Sequence, residues 1–113
     1  MTQHEFPPEI VDDAAHERFV AEVDGELARL EYEVDGGRLL LLHTEVPEPL
    51  GGRGLGGRLV QAAVARAVRE GLTVAPWCPY ARKWLQDHPD AAAPAVIDWS
   101  PPYAHRPGGT PGQ

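Results

Sequence analysis

The chain holds one cysteine, Cys78, so it cannot close an intrachain disulfide. That excludes the disulfide-stapled secreted folds. The N-terminal stretch also lacks the charged, apolar and cleavage regions of a signal peptide, and a reducing, cytoplasmic setting is expected. Long apolar runs are missing as well. The longest aliphatic stretch, Leu39 to Leu42, falls far short of the roughly 20 residues that cross a bilayer, so no membrane partner is expected. Basic charge is scarce: 10 Lys and Arg face 17 Asp and Glu, for a formal charge of −7. This balance argues against nucleic acid, whose binders carry a basic face, and suits a basic or amine-bearing partner. His4, His16, His88 and His105 show no metal-ligand spacing with one another or with Cys78, and no metal is expected. At 113 residues there is room for one core but not two.

Glycine and proline, by contrast, are plentiful, with twelve of each. They crowd the stretch from Ser100 to Gln113, where Tyr103 is the only large apolar side chain, and predict a disordered tail. Residues 1–15 read as an extension in which Phe6, Ile10 and Val11 offer a short edge segment. The domain proper is expected over 16–99.

Within it the periodicity is clear. Phe19, Ala21 and Val23 alternate with charged neighbours, and Asp24-Gly25 supplies a two-residue hairpin turn. Leu30, Tyr32 and Val34 form a return strand with one wet face, Asp35-Gly36-Gly37 turns again, and Arg38 to Val46 makes a third strand whose four leucines predict burial on both sides. Beyond Pro47 and Pro49 the period becomes helical. Leu59, Val60, Ala63, Val64, Ala67 and Val68 fall on one broad face, and Gly71 sits where a left-handed cap would end the helix. The segment "LTVAP" reads as a fourth strand, parallel to the third because a helix crosses over between them. Pro79 to Asp87 predicts a short helix with Trp84 and Leu85 inward, and "AVIDW" one more strand. Trp77, Trp84 and Trp99 read as core. The fold class is α+β, a mixed, mostly antiparallel sheet with two helices.

The glycine cluster of "PLGGRGLGGRLV" is the densest signal. Residues 52–57 satisfy G-x-G-x-x-G, yet no strand leads directly into them and no acidic residue ends the next strand, so the dinucleotide fingerprint fails. Walker A fails too, since Gly57-Arg58 stands where Lys-Ser/Thr is needed. What remains is backbone N–H groups converging ahead of a helix N-terminus, for which a diphosphate is the natural guest. Glycine in a first helical turn costs roughly 0.5–1 kcal/mol relative to alanine, which close approach of a ligand would explain. A flexible loop with a frayed helix start is the bland alternative.

An antiparallel strand, a glycine-rich turn, a helix and a parallel strand, in that order, resemble the acetyl-CoA-binding core of the GNAT superfamily of N-acetyltransferases, whose motif is R/Q-x-x-G-x-G/A. Gly54-Leu55-Gly56 match its G-x-G part. The segments "LEYEV", "HTEVPEPLGGRGLGGRLVQAAVARAVREGL" and "VAPWCPYARKWLQDHPD" are similar to a small single-domain GNAT-like family consisting of little besides this core. The resemblance covers roughly residues 17 to 90. It implies acetyl-CoA or coenzyme A as cofactor, its diphosphate arm held across Gly51, Gly52, Arg53, Gly54, Leu55, Gly56, Gly57 and Arg58. It further implies a pantetheine arm along Glu45 and Val46. Gly51 departs from the pattern by occupying the Arg/Gln position.

Amide formation from a thioester asks for a neutral amine, a proton acceptor, oxyanion donors and a proton for the leaving thiolate. His43 and Glu45 share a strand face by the period of two, and the resemblance puts both near the thioester. Each is otherwise a polar residue on the sheet surface. Cys78, extended by the following Pro79, falls at the N-cap of the short helix, where a thiolate is favoured. In the GNAT-like relatives this cysteine recurs beside the acetyl group, as an acyl relay or a donor to the leaving thiolate. Its plain alternative is a small buried hydrophobe. Tyr80 is the other proton donor that the resemblance implies, against a core aromatic with a satisfied hydroxyl.

Two principal readings follow. One is an acetyl-CoA-dependent N-acetyltransferase acting on an amine or an exposed lysine of unknown identity. The other is a non-catalytic module that holds coenzyme A or an acyl-CoA. A third, an interaction domain recruiting partners through its proline-rich tail, rests on extended helices of that composition. So small a core points to an open acceptor site.

Overall fold

A computed structural model describes residues 9–101, so the expectations placed on Phe6 and on the tail beyond Pro101 lie outside the described residues. The alternating segments form strands β1 (Val11–Asp13), β2 (Arg18–Val23), β3 (Glu26–Asp35), β4 (Arg38–Glu45) and β5 (Thr73–Pro76). Helices α1 (Leu55–Glu70), α2 (Pro79–Asp87) and α3 (Pro89–Ala92) complete the set. The strands form one sheet in chain order, antiparallel from β1 to β4, with β5 parallel to β4 as the helical crossover requires. The edge segment expected around Val11 is therefore a short strand. The Asp24-Gly25 hairpin has positive φ at both turn residues, the primed geometry that matches strand twist.

One face of the sheet carries the core. Phe19, Ala21, Ala28, Leu30, Tyr32, Leu39 and Leu41 pack beneath Leu55, Leu59, Val60, Ala63 and Ala67 of α1. Leu59 is fully buried, and truncating such a side chain to alanine typically costs about 2–5 kcal/mol. Val68, expected on this face, is 48% exposed. At 100° per residue it lies furthest from the stripe's centre, and the sheet does not reach it.

The run of four leucines also departs from expectation at its end. Leu39, Leu40 and Leu41 are buried, but Leu42 is 38% exposed. The register explains this: Tyr32 pairs with Leu41 while Glu31 pairs with His43, so Leu42 is an extra, bulged residue. The bulge resets the alternation. Thr44, opposite the buried Leu30, joins the core face, while His43 and Glu45, opposite Glu31 and Arg29, go to the outer face.

Smaller corrections concern the C-terminal third. The segment "AVIDW" forms no full strand; Ile97 makes one isolated parallel bridge to Val74, with Asp98 N–H donating to Val74 O at 2.7 Å. Pro89, expected only to end α2, also opens the short α3, because its fixed φ suits a first helical turn. The three tryptophans are peripheral: Trp77 and Trp84 are half-buried and Trp99 is exposed.

Candidate functional site

Pairing of β4 with β5 ends at Leu41 opposite Pro76, yet β4 continues to Glu45. At that point Cys78 N–H donates to Leu41 O at 2.8 Å and the chain turns into α2. The two strands part, leaving a notch. Pro47 then stops β4, and a 3-10 turn over Glu48–Leu50 buries Leu50 beneath the glycine-rich loop.

This notch opens into a cavity of about 280 Å³. Its walls are Thr44 and Val46 from the end of β4, Leu50, the loop glycines Gly51, Gly52 and Gly54, the first turn of α1 at Leu55 and Gly56, and Tyr80 of α2. The glycines have two different jobs. Gly52 and Gly54 have φ of +80° and +74°, where an L side chain is strained, and a Cβ on either would meet only open space. They bend the backbone so that the loop leads its N–H groups into the start of α1. Gly56 and Gly57 face inward: a Cβ on Gly56 would lie 2.6 Å from Tyr80 Oη, and on Gly57 it would clash with the indole nitrogen of Trp84. The close approach of α2 is one reason for their place in a first helical turn.

Donors remain in supply. Gly54 caps α1 without any side-chain hydrogen bond, so the first-turn N–H groups of Leu55, Gly56 and Gly57 have no intrahelical partner. Gly51 N–H is already donated to Glu48 O at 3.0 Å, and Arg58 N–H to Gly54 O at 3.2 Å. Those two backbone donors are spoken for. An uncapped helix start of sixteen residues, approached by an open glycine backbone, fits a diphosphate.

The expected proton-transfer residues are divided between the two faces of the sheet. Tyr80 lines the cavity and is 45% exposed, so it is not the core aromatic that was the plain alternative. Partial burial, and secondarily the neighbouring Cys78, raise its pKa above the ordinary tyrosine value. It stays a protonated donor at neutral pH. Cys78 is the N-cap of α2 with an extended backbone, as its place before Pro79 predicts. Its side chain is only 3% exposed, and Sγ lies 3.2 Å from Thr44 Oγ1. Thr44, which sequence reasoning passed over, thus stands between the sulfur and the cavity. The signal that could have found it is the bulge, which no residue in "LLLLHT" announces.

His43 and Glu45 do share a face, with Nε2 and Oε1 3.7 Å apart, and it is the outer one. Glu45 also accepts from Arg29 Nη2 at 2.6 Å, and Arg29 Nε donates to Glu31 at 2.8 Å. The result is an exposed ionic row on the side of β4 away from Thr44.

Known proteins carry the same arrangement of sequence. Residues 18–93 match the family described as GCN5-related N-acetyl-transferase. Protein NATD1 of Gallus gallus is 34% identical over 86 residues, covering 74% of this chain and 78% of its own, and Protein NATD1 of Homo sapiens is equally similar with 76% of its length covered. The matched span begins at β2 and runs through α3, so it contains the parted strands, the glycine loop and the start of α2 together. The chain belongs to the GCN5-related N-acetyltransferase family.

Proposed function

We propose that the protein is an acetyl-CoA-dependent N-acetyltransferase whose acceptor is an amine or a lysine side chain. The observation that carries this reading is the set of unpartnered N–H groups at the start of α1, opening on a cavity bounded by the free edge of β4. Backbone donors from Gly52 to Gly57 would hold the diphosphate, and the edge of β4 through Glu45 and Val46 would receive the extended arm. When bound, acetyl-CoA supplies an acyl group already activated as a thioester.

The chain's own residues divide the remaining work. Tyr80, a protonated phenol at neutral pH, offers an O–H to charge developing at the reacting carbonyl. His43, backed by Glu45, takes the proton of an amine that reaches the notch from the outer face. A reducing cytoplasm keeps Cys78 a thiol. With a charge of −7, the protein favours cationic acceptors, including lysines on macromolecules.

A second reading, a module that binds coenzyme A without turnover, is favoured by one observation: of Cys78, Tyr80 and His43, only Tyr80 lines the cavity. Calorimetry with acetyl-CoA, followed by intact-mass detection of acetyl transfer to a panel of amines and lysine peptides, separates the two. Binding with transfer supports the enzyme, binding without transfer supports the module, and no binding sinks both.

A further inference from the structure

We propose that Thr44 is a further catalytic residue, a hydroxyl that carries a proton from the buried Cys78 thiol to the leaving thiolate. The inference rests on the acetyltransferase reading above. Three observations lead to it. The bulge at Leu42 turns Thr44 inward, where it lines the cavity. Cys78 Sγ is 3.2 Å from Thr44 Oγ1, close enough to share a proton. Cys78 itself is 3% exposed and is not part of the cavity wall, so its proton reaches the cavity only through another group.

A threonine hydroxyl suits that task because it donates one proton and accepts another at the same oxygen. Thr44 gives its O–H proton to the departing sulfur, which breaks that O–H bond and forms an S–H bond. In the same motion Oγ1 takes the proton of Cys78 Sγ, so the threonine is restored and Cys78 is left as thiolate. The proton shed by the acceptor amine and taken up by His43 passes through water in the cavity to Thr44 Oγ1, which hands its own proton back to Cys78 Sγ, and no oxidant or other reactant is needed. Passing a proton from one alkyl thiol to another alkyl thiolate is nearly balanced in energy, which lets the transfer run without a strong acid.

Cys78 is the only cysteine, so the S–H stretching band in the infrared spectrum reports on this contact without any turnover. The relay requires the thiol to donate to Thr44 in the resting wild-type protein, so the band lies below that of Thr44→Val, whereas Thr44→Ser keeps the wild-type position. Acetyl transfer is then measured in the same variants. Thr44→Val lowers kcat by roughly 100-fold, the low end for a positioned proton-transfer group, with little change in KM for acetyl-CoA, and Thr44→Ser restores most of it. Combining Thr44→Val with Cys78→Ala is no worse than the more severe single change, because the two act as one unit. An unshifted S–H band, or a Thr44→Val enzyme as fast as wild type, overturns the relay alone. A wild-type protein that binds acetyl-CoA but acetylates no amine overturns the acetyltransferase reading and the relay with it.

Discussion

The glycines of the cluster answer to different demands, close packing at Gly57 and a left-handed backbone at Gly54, and substitution separates their roles. Gly57→Ala drives a methyl into the Trp84 ring, an overpacking of the kind that costs about 1–3 kcal/mol. The expected outcome is a thermal midpoint several degrees lower, read by circular dichroism. Gly54→Ala meets nothing, but it pays for a left-handed φ with roughly 1–2 kcal/mol of backbone strain. There the loop shifts, and we expect weaker acetyl-CoA binding with the fold retained. Equal losses of stability and binding at both positions would contradict the division. The sequence showed that backbone was needed bare here, since five glycines in "PLGGRGLGGRLV" have few other uses. It did not show against what. Tyr80 and Trp84 lie more than twenty residues downstream, and only the packing of α2 on α1 brings them to Gly56 and Gly57.

Strand β4 owes its function to one surplus residue. Deleting Leu42 removes the bulge and leaves Leu41, His43 and Thr44 in plain alternation on the faces they already occupy, so what is lost is the local bend and twist with which β4 leaves β5. Such a variant should keep the fold and bind acetyl-CoA more weakly; retention of wild-type affinity by calorimetry would show that the bulge does not set the site. The strands, the crossover helix and its Gly71 cap were legible because alternation, helical period and punctuation all agree there. The bulge was not, because a run of leucines reads the same in either register. At the other edge of the sheet, Asp12 of β1 accepts a hydrogen bond from Tyr32 Oη, and Arg66 of α1 donates to the same oxygen at 2.7 Å. Burial first, then the Asp12 carboxylate, push the Tyr32 pKa from about 10 up to about 12. A raised pKa on an acid means that the folded state holds the proton more tightly. This contribution to stability is therefore complete below about pH 10 and is lost as pH climbs toward about 12. Wild type should lose stability to urea across that window, while Tyr32→Phe, already less stable, should lose less; parallel curves would refute this contribution of Tyr32.

At the scale of the whole molecule, charge and openness govern the choice of acceptor. A charge of −7 attracts cations, and salt shortens the reach of that field from about 10 Å at 0.1 M to about 3 Å at 1 M. KM for a cationic amine should rise with ionic strength while KM for an uncharged amine does not; a flat KM for the cationic amine would remove electrostatics from acceptor choice. No helix among the described residues is long and apolar enough to cross a membrane. All of this depends on the start of α1 receiving a diphosphate. The measurement that tests it most directly is a calorimetric titration of the protein with acetyl-CoA, repeated with 3′-dephospho-CoA and with pantetheine, which lacks the diphosphate. The account predicts micromolar binding of the first two and at least a tenfold loss with pantetheine. Equal affinity for pantetheine, or no binding of acetyl-CoA, would contradict it.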